Sequence, residues 1–158
     1  MADKRLDTLD NQIIGLLSEN GRMPIGEMTQ RLDVTAPTIR SRLKNLEKKG
    51  LLKVSGIVDP DRHPRMITAL VAMSVQSGGK MDQVLEKIAH LPNVVWAAVT
   101  AGRYDIIAEV AFVGGKAELY KFTTETILKM VNVVRSETFI MMKSQNNWLC
   151  LPKGVAEI

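Results

Sequence analysis

Cysteine and histidine are nearly missing from this chain: 158 residues carry one cysteine, Cys150, and two histidines, His63 and His90. A lone cysteine excludes an intramolecular disulfide and any zinc cage built from cysteines. The histidines lie far apart, and neither has a ligand or nucleophile pattern beside it, so no metal centre, cofactor or catalysis is expected. No apolar run approaches the roughly 20 residues that span a bilayer. The opening MADKRLDTLD holds acids and no apolar core, unlike a secretory signal, and a cytoplasmic protein without membrane contact is expected. Internal repeats and low-complexity tracts are also missing. Ser77-Gly-Gly-Lys80 lacks the spacing and the following Ser/Thr of a phosphate loop.

What is present is a folding composition, 46% apolar and 24% charged, with a modest net charge of +4. The placement of that charge is more telling than its size. Between Arg40 and Lys53 there are six Lys/Arg and a single acid, Glu47. A local positive field is what docking on a polyanion requires.

The apolar spacing predicts three helices in the first third. Leu6, Leu9, Ile13, Leu16 and Leu17 mark one over Asp7–Glu19, which Asn20-Gly21 stops. A second, with Pro24 near its start, carries Ile25, Met28 and Leu32. After a turn at Asp33-Val34, Thr35 is an N-cap candidate for a third, with Pro37 in its first turn and Gly50 at its end. Leu51 to Pro60 reads as a small hairpin around Ser55-Gly56, and Asp59–Arg65 as a linker. The rest reads strand, helix, strand, strand, helix, strand, the split ferredoxin-like order. Its strands are expected at Ile67–Val75, Val94–Thr100, Asp105–Val113 and Val133–Met142, and its helices at Met81–His90 and Ala117–Met130. Trp148–Leu151 is a further short edge-strand candidate. The expected class is therefore α+β: a winged helix-turn-helix domain over 1–58, a linker over 59–65, and a βαββαβ domain over 66–158.

The third helix separates into two faces. Ile39, Leu43 and Leu46 form its buried stripe. At about 100° per residue, Pro37, Ser41, Lys44, Asn45 and Lys48 fall on the far side, flanked by Thr38, Arg40 and Arg42. Short polar groups and an amide suit base edges, while Arg and Lys suit phosphates. Free N–H groups at the helix start, beside Thr35, attract phosphate as well. Lys53, in the expected wing, is placed to touch backbone. A solvated basic face is the plainer reading of any charge run, but the compact helix-turn-helix spacing from Ile25 to Leu43 favours double-stranded DNA.

The segments LDTLDNQIIGLLSENGRMPIGEMTQRL, TAPTIRSRLKNLEKKGLL and GIVDPDR together resemble the DNA-binding domain of the Lrp/AsnC (feast/famine) transcriptional regulators. VVWAAVTAGRYDIIAEV resembles the strand–Gly-x-x-Asp–strand segment of that family's effector (RAM-type) domain. The likeness runs from about Leu6 to Lys143, with one departure: Asp33 stands where such turns usually have glycine. The resemblance implies a small effector, often an amino acid, held at Thr100, Ala101, Gly102, Arg103, Tyr104 and Asp105. Backbone donors near Gly102 suit a carboxylate and Asp105 suits an ammonium. It also implies homodimers assembling further, for instance to octamers, and two recognition helices about one DNA turn apart. A family member without effector that organises DNA is the nearest alternative. A haem-biosynthesis decarboxylase of similar architecture is a more distant one.

Overall fold

The computed structural model describes residues 6–76 and 80–155; the strand break expected at 77–79 lies outside them. The chain divides into two compact units between Gly56 and Ile57.

The first unit holds α1 (Thr8–Glu19), α2 (Ile25–Leu32) and α3 (Ala36–Lys48). Asp7 caps α1: its carboxylate accepts from the Asp10 N–H at 2.8 Å, and the Asp10 carboxylate accepts in return from the Asp7 N–H. This is a capping box built from two aspartates. The stop expected at Asn20-Gly21 is there, but it needs no left-handed residue, because Asn20 turns away in extended geometry. Asp33 does adopt the left-handed conformation, at φ 51° and ψ 45°, and forms the turn between α2 and α3. Gly50, at φ 66°, closes α3 by a Schellman arrangement in which the Leu51 N–H reaches back to the Leu46 carbonyl at 2.9 Å. The three helices share one core: Met23, Met28 and Ile39 are buried, with Leu16, Leu17, Ile25, Leu32, Val34 and Leu43 packed on them.

The hairpin expected beyond Gly50 does not form. Residues 52–57 contain no strand, and Val54 and Ile57 are exposed. Two short runs with neither a third strand nor an apolar floor are marginal as a hairpin. Val58 instead makes an isolated antiparallel bridge to Leu149, with reciprocal N–H···O bonds of 2.9 and 3.0 Å. Leu149 is thus the only residue of 148–151 in β pairing. The segment Asp59–Arg65 belongs to the second unit and is anchored there. Pro60 is buried in a 3₁₀ turn (Pro60–Arg62), and the Asp61 carboxylate accepts from both the N–H and the hydroxyl of Ser144.

The second unit contains β1 (Met66–Val75), α4 (Met81–Ala89), β2 (Val94–Val99), β3 (Ile106–Val113), α5 (Lys116–Lys121) and β4 (Val133–Ile140). The sheet is antiparallel throughout, in the order β2-β3-β1-β4, as the ferredoxin-like reading expects. One face, carrying Ala69, Val71, Met73, Ile106, Ala108 and Val110, packs with Val84 and Ile88 of α4 and Leu119 of α5. The helix expected as far as Met130 is not regular. After Lys121 it widens into a π-helical stretch, Phe122–Ile127, where the hydroxyls of Thr123 and Thr124 take the carbonyls of Leu119 and Tyr120. Hydroxyl competition for backbone carbonyls loosens a helix in this way.

Candidate functional sites

On α3, local sequence sorts structure from surface. Ile39 and Leu46 are buried and Leu43 is half-buried, whereas Pro37, Arg40, Ser41, Lys44, Asn45 and Lys48 are exposed. Thr35 occupies the N-cap position in extended geometry but makes no capping bond; its hydroxyl meets that of half-buried Thr38 at 2.9 Å. The first-turn N–H groups of α3 therefore receive no side-chain cap. Lys53 is exposed on the unpaired segment after the helix and not on a wing strand.

Arg42, expected beside the DNA-facing side, also has partners within the fold. Its guanidinium bonds the Asp7 carboxylate and, at 3.2 Å, that of Asp10. Both acids belong to the capping box of α1, so one cation on α3 is drawn back onto the fold. The Asp10 N–H, and next to it the Arg42 guanidinium, hold the Asp7 carboxyl below its ordinary value of 3.8. The hydrogen bond to Asp7 correspondingly raises Arg42. The sequence held the signal, since the acids of LDTLD face a basic helix, but spacing alone does not reveal a pairing 35 residues apart.

The second site is the turn between β2 and β3. Thr100 donates its N–H to the Asp105 carbonyl at 2.9 Å and its hydroxyl to the Tyr104 carbonyl at 2.7 Å. Asp105 donates its N–H to the Met73 carbonyl at 2.9 Å, and its Oδ2 accepts from the Val75 N–H at 2.8 Å. One carboxylate oxygen of Asp105 is thus fixed on the end of β1. Ala101, Gly102 and Arg103 are exposed at the tip. Tyr104 is half-buried, and its hydroxyl is buried without a hydrogen-bond partner among the described residues. An unmet buried hydroxyl costs about 1–3 kcal/mol.

Arg135 of β4 joins this turn unannounced by the sequence. Its guanidinium lies 5.9 Å from the centre of the Tyr104 ring, and that of Arg103 lies 5.6 Å from the same ring. The register explains the meeting. Arg135 sits opposite Ser74 across β1, and Met73 sits opposite Ile106 on the other side, so the start of β4 and the end of the turn converge. A second feature that went unseen is a row across the sheet face opposite the helices: Trp96, Glu109, Leu70 and Phe139, one from each strand. Trp96 Nε1 donates to Glu109 Oε2 at 2.5 Å, while Glu109 Oε1 is buried and unpartnered among the described residues. Neither histidine enters these sites: His90 Nδ1 lies 2.7 Å from the Glu86 carbonyl, and His63 ends the 3₁₀ turn. Among the described residues, no helix is long and apolar enough to cross a membrane.

Comparison with known proteins places both units. Residues 6–53 match a winged helix-turn-helix DNA-binding family, and residues 68–147 match the Lrp/AsnC ligand-binding domain. An uncharacterized helix-turn-helix transcriptional regulator of Pyrococcus horikoshii is 32% identical over 137 residues, covering 86% of this chain and 85% of that protein. The regulatory protein AsnC of Haemophilus influenzae is 26% identical over 140 residues, covering 88% of this chain and 93% of that protein. A transcriptional regulator of Neisseria meningitidis, crystallised as a complex with L-methionine, shares the fold. Its TM-score is 0.70 at 21% identity, over 88% of this chain and 91% of that one. A DNA-binding head of this kind followed by this domain, in this order and over nearly the whole chain, means that the chain belongs to the Lrp/AsnC family of helix-turn-helix transcriptional regulators.

Proposed function

We propose that α3 is the recognition helix, reading base edges with Ser41, Lys44 and Asn45 while Arg40, Lys48 and Lys53 hold phosphates. Thr35, Pro37 and Thr38 then lie at the helix start, where uncapped N–H groups favour a phosphate. The observation that carries this reading is the unobstructed outward face of α3, on which Arg40, Ser41, Lys44 and Asn45 are all exposed. The test is fluorescence anisotropy on promoter fragments over a salt series. Phosphate docking requires affinity to fall steeply with salt. A flat response would remove α3 from the role.

The 57–158 unit is read as sensor and assembly device. A small effector held at Thr100–Asp105 is supported by the match to a ligand-binding domain and by the amino-acid complex of the Neisseria relative. Self-pairing through the sheet face opposite the helices is supported by Trp96 and Phe139, which are 44% and 49% exposed in one row. Large exposed apolar side chains at both ends of one row on a sheet face suit an association surface. A two-fold pair would present two α3 helices to successive major grooves and favour a near-palindromic site. Light scattering on the Trp96→Ala, Phe139→Ala double variant tests the pairing: a mass unchanged from wild type refutes it. In this reading the protein works in the cytoplasm, on DNA, with no catalytic step.

A further inference from the structure

We infer that the turn at Thr100–Asp105 selects a ligand with at least two carboxylates, and that Arg135 is the residue that imposes this selection. The inference rests on the reading of that turn as the effector site. It goes beyond that reading by naming the ligand's charge and a residue outside the turn.

The charge inventory of the turn argues against a plain zwitterion. Its one acid, Asp105, already spends an oxygen on the Val75 N–H, leaving a single oxygen for an ammonium group. Against it stand two guanidinium groups, Arg103 and Arg135, which lie 5.6 and 5.9 Å from the centre of the neighbouring Tyr104 ring. Neither arginine makes an ion pair among the described residues. Glu137, two residues along β4 and on the same face, makes no direct ion pair with Arg135. Each cation rests against the electron-rich ring, and an anionic ligand at the turn gains from both charges.

The Tyr104 hydroxyl adds a neutral donor. It is buried and has no hydrogen-bond partner among the described residues. A phenol and two planar guanidinium forks match carboxylate oxygens in number and geometry. The α-carboxylate and the side-chain carboxylate of an acidic amino acid use the arginines and the tyrosine. The free Asp105 oxygen holds its ammonium, and the same oxygen repels a phosphate dianion. Arg135 arrives from β4, so this charge is supplied by the sheet and not by the loop.

Calorimetry and thermal shift on the full chain test this with L-glutamate, L-aspartate and 2-oxoglutarate set against L-leucine, L-methionine, L-lysine and inorganic phosphate. The expected result is binding and stabilisation by dicarboxylates. Arg135→Ala should weaken that binding by roughly tenfold or more, the loss of one charge-assisted hydrogen bond. Arg135→Lys should restore part of it, and Tyr104→Phe should give a smaller loss. Arg135 is exposed, so an unchanged thermal midpoint of the unliganded Arg135→Ala variant reports an intact fold. If neutral or basic amino acids bind and dicarboxylates do not, the selection fails while the sensor reading stands. If no compound binds, the sensor reading fails and takes the inference with it. Dicarboxylate binding indifferent to Arg135→Ala overturns the assignment, as does tighter binding of phosphate. An Arg135→Ala variant that changes oligomer mass but not ligand affinity assigns the anion to another copy of the chain, and also overturns it.

Discussion

The outward face of α3 and the turn at Thr100–Asp105 solve the same problem in opposite ways. On α3, fold and function are separated by angle: Ile39 and Leu46 face the core, while Ser41, Lys44 and Asn45 face away from it. In the turn they are superimposed. Thr100 and Asp105 are candidate ligand contacts, yet each already holds a backbone bond that keeps the turn closed. A helix has a spare face to offer a partner, whereas the turn has only its exposed tip, Ala101 to Arg103, free of such bonds. Arg42 is the exception on α3, the cation whose guanidinium is paired with Asp7 and Asp10 of the first helix's cap.

The sharpest way to break the comparison is through the core. Ile39→Ala removes a fully buried side chain and should cost about 2–5 kcal/mol, read as a lower midpoint in denaturant, with DNA binding lost because α3 is no longer held. A near-neutral result would mean that the stripe is not what positions the helix. Asp105→Ala comes next: leaving the Val75 N–H unmet should cost about 1–3 kcal/mol. Asp105→Asn keeps an acceptor and should recover most of that stability while losing any ammonium contact. If both variants were equally unstable, the carboxylate's charge and not its hydrogen bond would be the structural element.

Smaller effects separate the two arginines of α3. Arg40→Ala should weaken binding across sequences alike and lower the salt slope by about 1. Arg42→Ala should weaken binding through looser α1–α3 packing with the slope unchanged; an equal drop in slope for both would return Arg42 to the DNA. The smallest effect is on pH. Asp7 is depressed in the folded state, so its contribution to stability is present above the ordinary value of 3.8 and is lost as pH falls through the lower folded value. Acid titration of stability should show a step there that Asp7→Asn removes. Its persistence in that variant would assign the step to another carboxylate.

Legibility in the sequence followed the same divide. The first four helices, the turn at Asp33 and the strand order were readable because each is written in local spacing or in one residue's backbone preference. The outward set on α3 was readable for that reason too. What escaped depends on distant pairing. The Arg42–Asp7 bond, the arrival of Arg135 beside Tyr104 and the row from Trp96 to Phe139 are all products of register between segments far apart in the chain. The wing misled for a related reason. Leu51–Pro60 has strand-like residues, but Val58 finds its partner in Leu149 and not in its own neighbourhood.

That bridge also determines where tension enters the second unit. Any pull arriving along the chain at Ile57 meets two hydrogen bonds at Val58 before it reaches β1, and the strain passes to the C-terminal segment at Leu149. The sheet lies behind this clasp.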